Sequence, residues 1–397
     1  MAVDTQDSAR DSTTTTRFWN DPRIRSIIYQ ILVVLVVILT GWFLYSNLVA
    51  NLAQRGISTG YGFLTEESGF AISEHFISYS AADTYGRAFI VGILNTLRVA
   101  ALGIVLATII GTIVGVARLS SNWLIAKLAT VYVEGMRNIP VLLWLFIWYA
   151  VITVSLPHPR VAIMPIEGIV LSNRGLMFAV PADHPIHLWM WIAFFVGLAI
   201  TWFIRRWAAR RQAATGQQFP AFRAGLAAII GLPLIVWLIG GAPTDMDVPT
   251  LQGFNFAGGV TFSPEFAAVL FGLTFYTASF IAEIVRSGIQ AVSYGQTEAA
   301  SALGLRPTRV LRLVVLPQAL RIIIPPTTSQ YLNLTKNSSL AVAVGYPDLV
   351  SVGNTTLNQT GQAIEAISIY MLVYLTISLS ISLGMNIYDK RIALVER

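Results

Sequence analysis

The sequence predicts an all-α membrane protein of about eight transmembrane helices, and three observations carry that prediction. Of the 397 residues, 55% are hydrophobic and only 12% charged, with a mean hydropathy of +0.66. A water-soluble domain of this size carries about 25% charged residues, so much of the surface must face lipid. Apolar stretches reach about 20 residues, the length that takes a helix across a hydrocarbon core about 30 Å thick. They recur along the chain, which excludes a single anchor.

Helix-length apolar windows between turn signals fall at about 27–50, 88–116, 139–156, 188–204, 224–241, 264–285, 326–345 and 366–387. The first is too long for the core of a cleaved signal peptide and follows polar residues from Asp4 to Asp21, so it reads as a retained helix. The seventh, opening at Pro326, is unusually polar. The connections 51–87, 157–187 and 242–263 are rich in Gly, Pro, Ser and Asp, as solvent-exposed segments are. The expected organisation is a cytoplasmic tail at 1–26, an extra helix with its loop at 27–87, and a transmembrane domain at 88–391 that holds a two-helix insertion at about 157–262. No fixed-period repeat is visible.

Charge orients these spans. With the N-terminus inside, 20 of the 26 basic residues fall in inner segments, among them Arg118, Arg137, Arg205, Arg206, Arg210, Arg211, Arg223 and Arg286. An excess of inner Lys and Arg fixes both termini as cytoplasmic. It also accounts for the net charge of +6 without a nucleic-acid partner. Dropping the polar seventh span would strand Lys390 and Arg391 outside, so the charge pattern keeps it.

Several chemistries are excluded. There is no cysteine, hence no disulfide, Cys-ligated zinc, iron–sulfur cluster or thiol nucleophile. His75, His158, His184 and His187 all fall in outer connections, and the His184/His187 pair is too weak a signal for a metal, so no cofactor is expected. The lysines Lys127, Lys336 and Lys390 follow Ala126, Thr335 and Asp389, whereas the lysine of an ATP-binding loop follows glycine. No nucleophile, base and metal ligand cluster at membrane depth, so the chain is not expected to be an enzyme.

The most informative stretch is the inner loop 287–325, far longer than a turn between helices needs. Gln296 to Leu303 has good helix formers, with Glu298 early and Gly304 suited to a left-handed cap. Pro307 is suited to opening a second helix that Pro317 interrupts. The small side chains Ala299, Ala300 and Ala302 allow close docking into a groove of another protein; the bland alternative is an amphipathic surface helix. In a second stretch, Tyr132 to Pro140, Glu134 and Arg137 are spaced to pair and Pro140 to start a span.

A third stretch places a lysine at membrane depth. Gln330, Asn333, Lys336 and Asn337 share one helical face, followed by Ser338 and Ser339. An intramembrane lysine costs a few kcal/mol unless paired or wetted, and so marks a pathway, the alternatives being polar glue between helices or snorkelling to an interface. Arg98, about ten residues into the second span, fits either a substrate carboxylate ligand or an internal ion pair. Glu283 and Arg286 most simply pair with each other or with loop groups.

Glu298-Ala299-Ala300, Gly304 and Leu316-Pro317 resemble the EAA loop of ABC importer permeases, and Tyr132 to Pro140 resembles the segment joining the first two core helices of the polar amino-acid permeases. The resemblance covers roughly 85–155 and 264–391, the five-helix type I permease core. The extra helices are similar to the enlargement in the Q-type subunit of general L-amino-acid permeases. Many members have Asp where Asn337 stands and Thr where Ser338 stands.

The resemblance implies an L-amino-acid substrate, a second homologous permease subunit, separate cytoplasmic ATP-binding subunits and a periplasmic amino-acid-binding protein. It implies ATPase coupling through Glu298, Ala299, Ala300, Gly304 and Pro317. The charges at membrane depth and the polar face around them, not the resemblance, put the expected substrate pathway at Lys336, Asn333, Asn337, Ser339 and Arg98. A gradient-driven transporter or channel is the alternative; it would show paired repeats or discontinuous helices in both halves instead of one large inner loop.

Overall fold

The computed structural model describes residues 22–392 apart from 55, 57 and 58. Most of the expected 1–26 tail, with Arg10 and Arg17, therefore lies outside the described residues, as do Arg55 and Arg397.

Helix α1 (Pro22–Gln54) is exposed along its length. Helix α2 (Tyr85–Ala117) starts at Thr84, whose hydroxyl accepts from the Arg87 N–H. Helix α3 (Trp123–Asn138) is capped by the Asn122 side chain, and α4 (Val141–Ala150) begins after Pro140 and ends in a π turn at Val151–Ser155. Helices α5 (Ile186–Thr215) and α6 (Ala221–Ile239) form a hairpin. Helix α7 (Pro264–Gln290) leads to the short α8 (Tyr294–Ala302) and α9 (Pro307–Val310). A π turn, Leu311–Val315, joins α9 to α10 (Leu316–Asn337), which tightens into a 3₁₀ segment at Ser338–Val344. Helices α11 (Leu349–Thr360) and α12 (Ala363–Ile392) complete the chain.

Among the described residues, seven helices are long and apolar enough to cross a membrane, or eight if a bent pair counts as one span. The expected class, an all-α membrane protein of about eight spans, is thus borne out. The third span falls where expected, as α4 with its π turn after Pro140, and it forms a pair with α3 bent by 107°; proline supplies no N–H to continue α3. Three details differ.

The seventh span does not open at Pro326. Pro325 and Pro326 lie inside α10, where Thr327 and Thr328 donate their hydroxyls to the Ile323 and Ile324 carbonyls at 2.7 and 3.1 Å. The carbonyls that the two prolines leave without a helical N–H are those of Arg321 and Ile322, so the threonine bonds brace the next turn and do not replace the lost ones. Nor does Pro317 interrupt the helix it follows: it sits in the first turn of α10, after a π turn whose closing Leu316 N–H donates to the Leu311 carbonyl. Helix α11 was not expected.

The outer connections also carry small sheets. Strands β1 (Ile169–Ser172), β2 (Gly175–Phe178) and β7 (Val260–Phe262) form one antiparallel sheet in the order β1–β2–β7. Two ribbons pair β3 (Val180–Pro181) with β4 (Met246–Asp247) and β5 (Thr250–Gln252) with β6 (Asn255–Ala257).

The core lies between α2 and α7. Gly103, Ala107, Gly111 and Gly115 recur every four residues on α2 and are buried. A Cβ at Gly111 would meet the Ala278 carbonyl oxygen at 2.8 Å and the Ile281 side chain at 2.7 Å; one at Gly115 would meet the Ala282 carbonyl oxygen at 2.7 Å. Backbones approach this closely in membranes because hydrocarbon offers no hydrophobic drive between helices, leaving van der Waals contact to hold them. Leu145 of α4 fills the space over Gly272, and Ile323 of α10 lies over Gly288. The α5–α6 hairpin has its own seam, with Gly197 against Ala228 and Gly225 against Thr201.

Candidate coupling surface and transport path

At the end of the molecule rich in arginine, α8 lies outside the candidate spans. It starts two residues before the Gln296 expected from sequence and closes at Gly304, whose φ is +76°. The Leu305 N–H reaches the Ala300 carbonyl at 3.3 Å and the Gly304 N–H reaches the Ser301 carbonyl at 2.9 Å. This is the double closure that requires a left-handed residue after the helix. Glu298 and Ala299 are exposed and Ala300 is buried. Tyr294 and Leu303 expose 73% and 83% of their surface although they stand at the two ends of a helix outside the apolar spans, an apolar surface of the kind that marks a contact with another protein.

Behind α8 the ends of three helices are tied by charge. Glu283 of α7 accepts from Arg286 at 2.5 Å and from Arg118 at the end of α2, and Arg118 also approaches Glu134 of α3 at 4.0 Å. Arg286 in turn donates to Gln290 at 2.6 Å. The expected Glu283–Arg286 pair is present. The expected Glu134–Arg137 pair is not: Arg137 lies over the Phe280 ring at 5.1 Å, because α3 faces α7 across this seam and the ring offers a nearer partner than its own helix.

Lys336 lies near the middle of the bundle's length, on an exposed face of α10. Leu334 packs on Gly103, which stands about 27 Å from one end of α2 and about 21 Å from the other at 1.5 Å per residue. Lys336 and Asn333 are exposed, Gln330 and Asn337 half-buried. Lys336 makes no ion pair among the described residues. With Ser339, Val350, Tyr370, Met371 and Tyr374 it lines an open groove of about 750 Å³. The Ser339 hydroxyl donates to the Lys336 carbonyl at 2.8 Å, which holds it at the base of that groove.

Arg98 is not in the groove lining. Its guanidinium donates to Glu74 at 2.7 Å and lies over Phe266 at 4.1 Å. Glu74 also accepts from the Ser263 hydroxyl at 2.5 Å, and Ser263 caps α7 through the Phe266 N–H at 3.0 Å. Burial pushes the Glu74 carboxyl above its ordinary value against the pull of Ser263 and Arg98. Glu74 was not singled out from sequence, since it lies in a polar connection with no local motif to mark it. The only signal available was an arginine at membrane depth, which calls for an anion somewhere in the chain. The pair His184 and His187 stand with rings 6.1 Å apart, and no group of three or more metal-ligand side chains occurs among the described residues.

Comparison with known proteins fits this arrangement. Residues 103–394 match the family described as binding-protein-dependent transport system inner membrane component, and the chain belongs to that family. The general L-amino acid transport system permease protein AapQ of Rhizobium johnstonii is 52% identical over 377 residues, covering 95% of this chain and 94% of that protein. The putative amino-acid ABC transporter permease protein YhdX of Escherichia coli K12 is 51% identical over 379 residues, with 95% and 96% covered. The glutamate/glutamine/aspartate/asparagine transport system permease protein BztB of Rhodobacter capsulatus is 44% identical over 409 residues, again with 95% and 96% covered. Of the eight windows read from sequence, 27–50, 188–204 and 224–241 fall on α1, α5 and α6, and the other five fall on α2, α4, α7, α10 and α12.

The Arg98–Glu74 geometry yields a test that separates its two sequence readings. Arg98→Met leaves a largely buried carboxylate without its cation and should destabilise the protein by about 3 kcal/mol. Adding Glu74→Gln should recover most of that loss in thermal unfolding, and uptake with it, if the pair is structural. A double variant that is stable yet cannot transport would instead put Arg98 in contact with substrate.

Proposed function

We propose that this chain is the transmembrane permease subunit of a bacterial ABC importer for L-amino acids, set in the inner membrane with both termini cytoplasmic. The observation that carries the reading is α8, a short helix outside the spans, closed by Gly304 and presenting Tyr294, Ala299 and Leu303 to solvent. A carrier driven by an ion gradient has no use for such a docking helix. Support for the substrate class comes from AapQ, YhdX and BztB, all named as amino-acid permeases.

In this reading Glu298, Ala299, Ala300 and Gly304 form the surface that meets a cytoplasmic ATPase, and Pro317 helps to set the start of α10 behind it. The ATPase closes on ATP and pushes α8. The α7 end, held to α2 and α3 by Glu283, Arg118 and Arg286, moves as one body, and α10 carries the displacement to Lys336. A second homologous permease subunit completes the path, and a periplasmic binding protein delivers the amino acid. The chain itself catalyses nothing; hydrolysis belongs to the ATPase.

An amino acid crosses as a zwitterion, so the path must offset desolvation of both charges. Lys336 beside Asn333, Asn337 and Ser339 offers a cation and amide groups to the carboxylate. Arg98, paired with Glu74, enters the path only if substrate displaces that carboxylate.

Orientation is tested by reporters: one active only in the periplasm should work when fused after Asp245 and stay silent after Arg210. The reverse pattern would place α8 on the wrong side for an ATPase. Coupling is tested at Gly304, where an added Cβ meets open space, so the cost of substitution lies in the backbone at φ +76°. Gly304→Val should leave insertion normal while uptake and substrate-stimulated ATP hydrolysis fall at least tenfold, for a loss of about 1.4 kcal/mol or more at the interface; normal rates of both would end the coupling assignment. Lys336→Met should leave a stable complex with poor uptake, glutamate suffering more than a neutral amino acid, whereas loss of the complex or equal, near-normal uptake of both would remove Lys336 from the path.

A further inference from the structure

The α5–α6 hairpin carries a feature that neither coupling nor the path uses. Between Asp183 and Asp245 the chain has five arginines, Arg205, Arg206, Arg210, Arg211 and Arg223, and no carboxylate. None of the five makes an ion pair among the described residues.

The helix contacts set their depth. Thr201 lies against Gly225, so Arg205 stands about 6 Å and Arg206 about 7.5 Å beyond that level on α5, and Arg223 about 3 Å beyond it on α6. These three form an inner tier within about one helical turn. Arg210 and Arg211 form an outer tier roughly 7 Å farther on, where α5 continues past the start of α6. At 19 residues α6 is about as long as the hydrocarbon is thick, so its first turn, with Arg223, falls at the lipid headgroups.

All five arginines are exposed, and two of them are folded back onto indole rings. The Arg206 guanidinium lies over the Trp202 ring at 5.3 Å and that of Arg211 over Trp207 at 5.4 Å, each folded back one turn toward the membrane. Trp207 in turn meets Phe219 edge to face at 5.1 Å, and Arg211 donates to Gln217 at 3.0 Å, so the returning loop packs along α5. Trp202, Phe203, Trp207 and Phe222 are all at least half exposed, as residues at a bilayer interface are.

We propose that this end of the hairpin is a binding site for the phosphate headgroup of anionic phospholipid. The inner tier holds the phosphate between guanidiniums, whose paired N–H groups match its oxygens. The indoles fix two of those arginines at headgroup depth, and the outer tier adds the attraction of a basic cluster for a negatively charged leaflet. The occupant is a lipid because the arginines rise directly from lipid-facing helices; a soluble polyanion would have no contact with the exposed Trp and Phe side chains beneath them.

The full chain, purified with its co-eluting subunits in neutral detergent, is examined by native mass spectrometry with phosphatidylglycerol, with phosphatidylcholine and with inorganic phosphate. Phosphatidylglycerol should be retained about tenfold better than phosphatidylcholine, and inorganic phosphate should not displace it. Arg206→Gln with Arg223→Gln should abolish the preference, and Trp202→Leu, which keeps every charge and hence the orientation, should weaken it. Arg309→Gln, at the same end but outside the hairpin, should not. Equal retention of the two lipids by the unaltered chain, displacement by inorganic phosphate, or an equal effect of Arg309→Gln would overturn the proposal.

Discussion

The close approach of α2 to α7 is the constraint on which the rest of the structure depends. In water two such helices would be driven together by the apolar faces between them, but lipid is as apolar as leucine, and association rests on close packing and a few polar bonds. Glycine at positions 111 and 115 supplies that packing by letting α2 lie on the α7 backbone. The same column continues along α2, with Leu334 of α10 on Gly103 and Leu349 of α11 against Gly92. One helix thus positions three others. A side chain at any of these glycines would displace a neighbouring backbone or a buried leucine.

Polar bonds lock the two ends of that seam. At one end, Arg98 and Ser263 converge on Glu74, while the Asn95 amide donates to the Glu74 and Pro347 carbonyls at 2.8 and 2.9 Å. At the other, Arg118, Glu283 and Arg286 join α2 to α7 beside α8. A bundle held by small-residue contacts and end locks is suited to move as a body, which the proposed coupling of α8 to the Lys336 groove requires. The lone cation in that groove, Lys336, contrasts with Arg98, which has its anion in place. A charge left unpaired at that depth costs a few kcal/mol, so the groove is expected to be wet.

Much of this was legible in the sequence. Span length and the placement of arginine gave the class, and Gly304 gave the cap of α8, because these depend on local chemistry alone. The helix through Pro325 and Pro326 was not legible, since a proline pair ordinarily marks a helix start or break and only tertiary packing keeps this one running. The split between α3 and α4 was legible because Pro140 marks the start of the third span, whereas the 107° bend was not, since it depends on how α3 packs against α7. The partners of Arg98 and Glu134 were hidden for another reason: Glu74 and Arg118 lie in different elements, and no spacing rule connects residues that meet only by folding.

The central claim is that ATP, acting through α8, drives amino-acid transport along this core. The most direct measurement is uptake of a labelled L-amino acid by proteoliposomes that contain the purified complex with its binding protein, with all ion gradients collapsed by ionophores. Accumulation should continue while ATP is hydrolysed and stop with a non-hydrolysable analogue. Accumulation that follows an imposed ion gradient and ignores ATP would contradict the account.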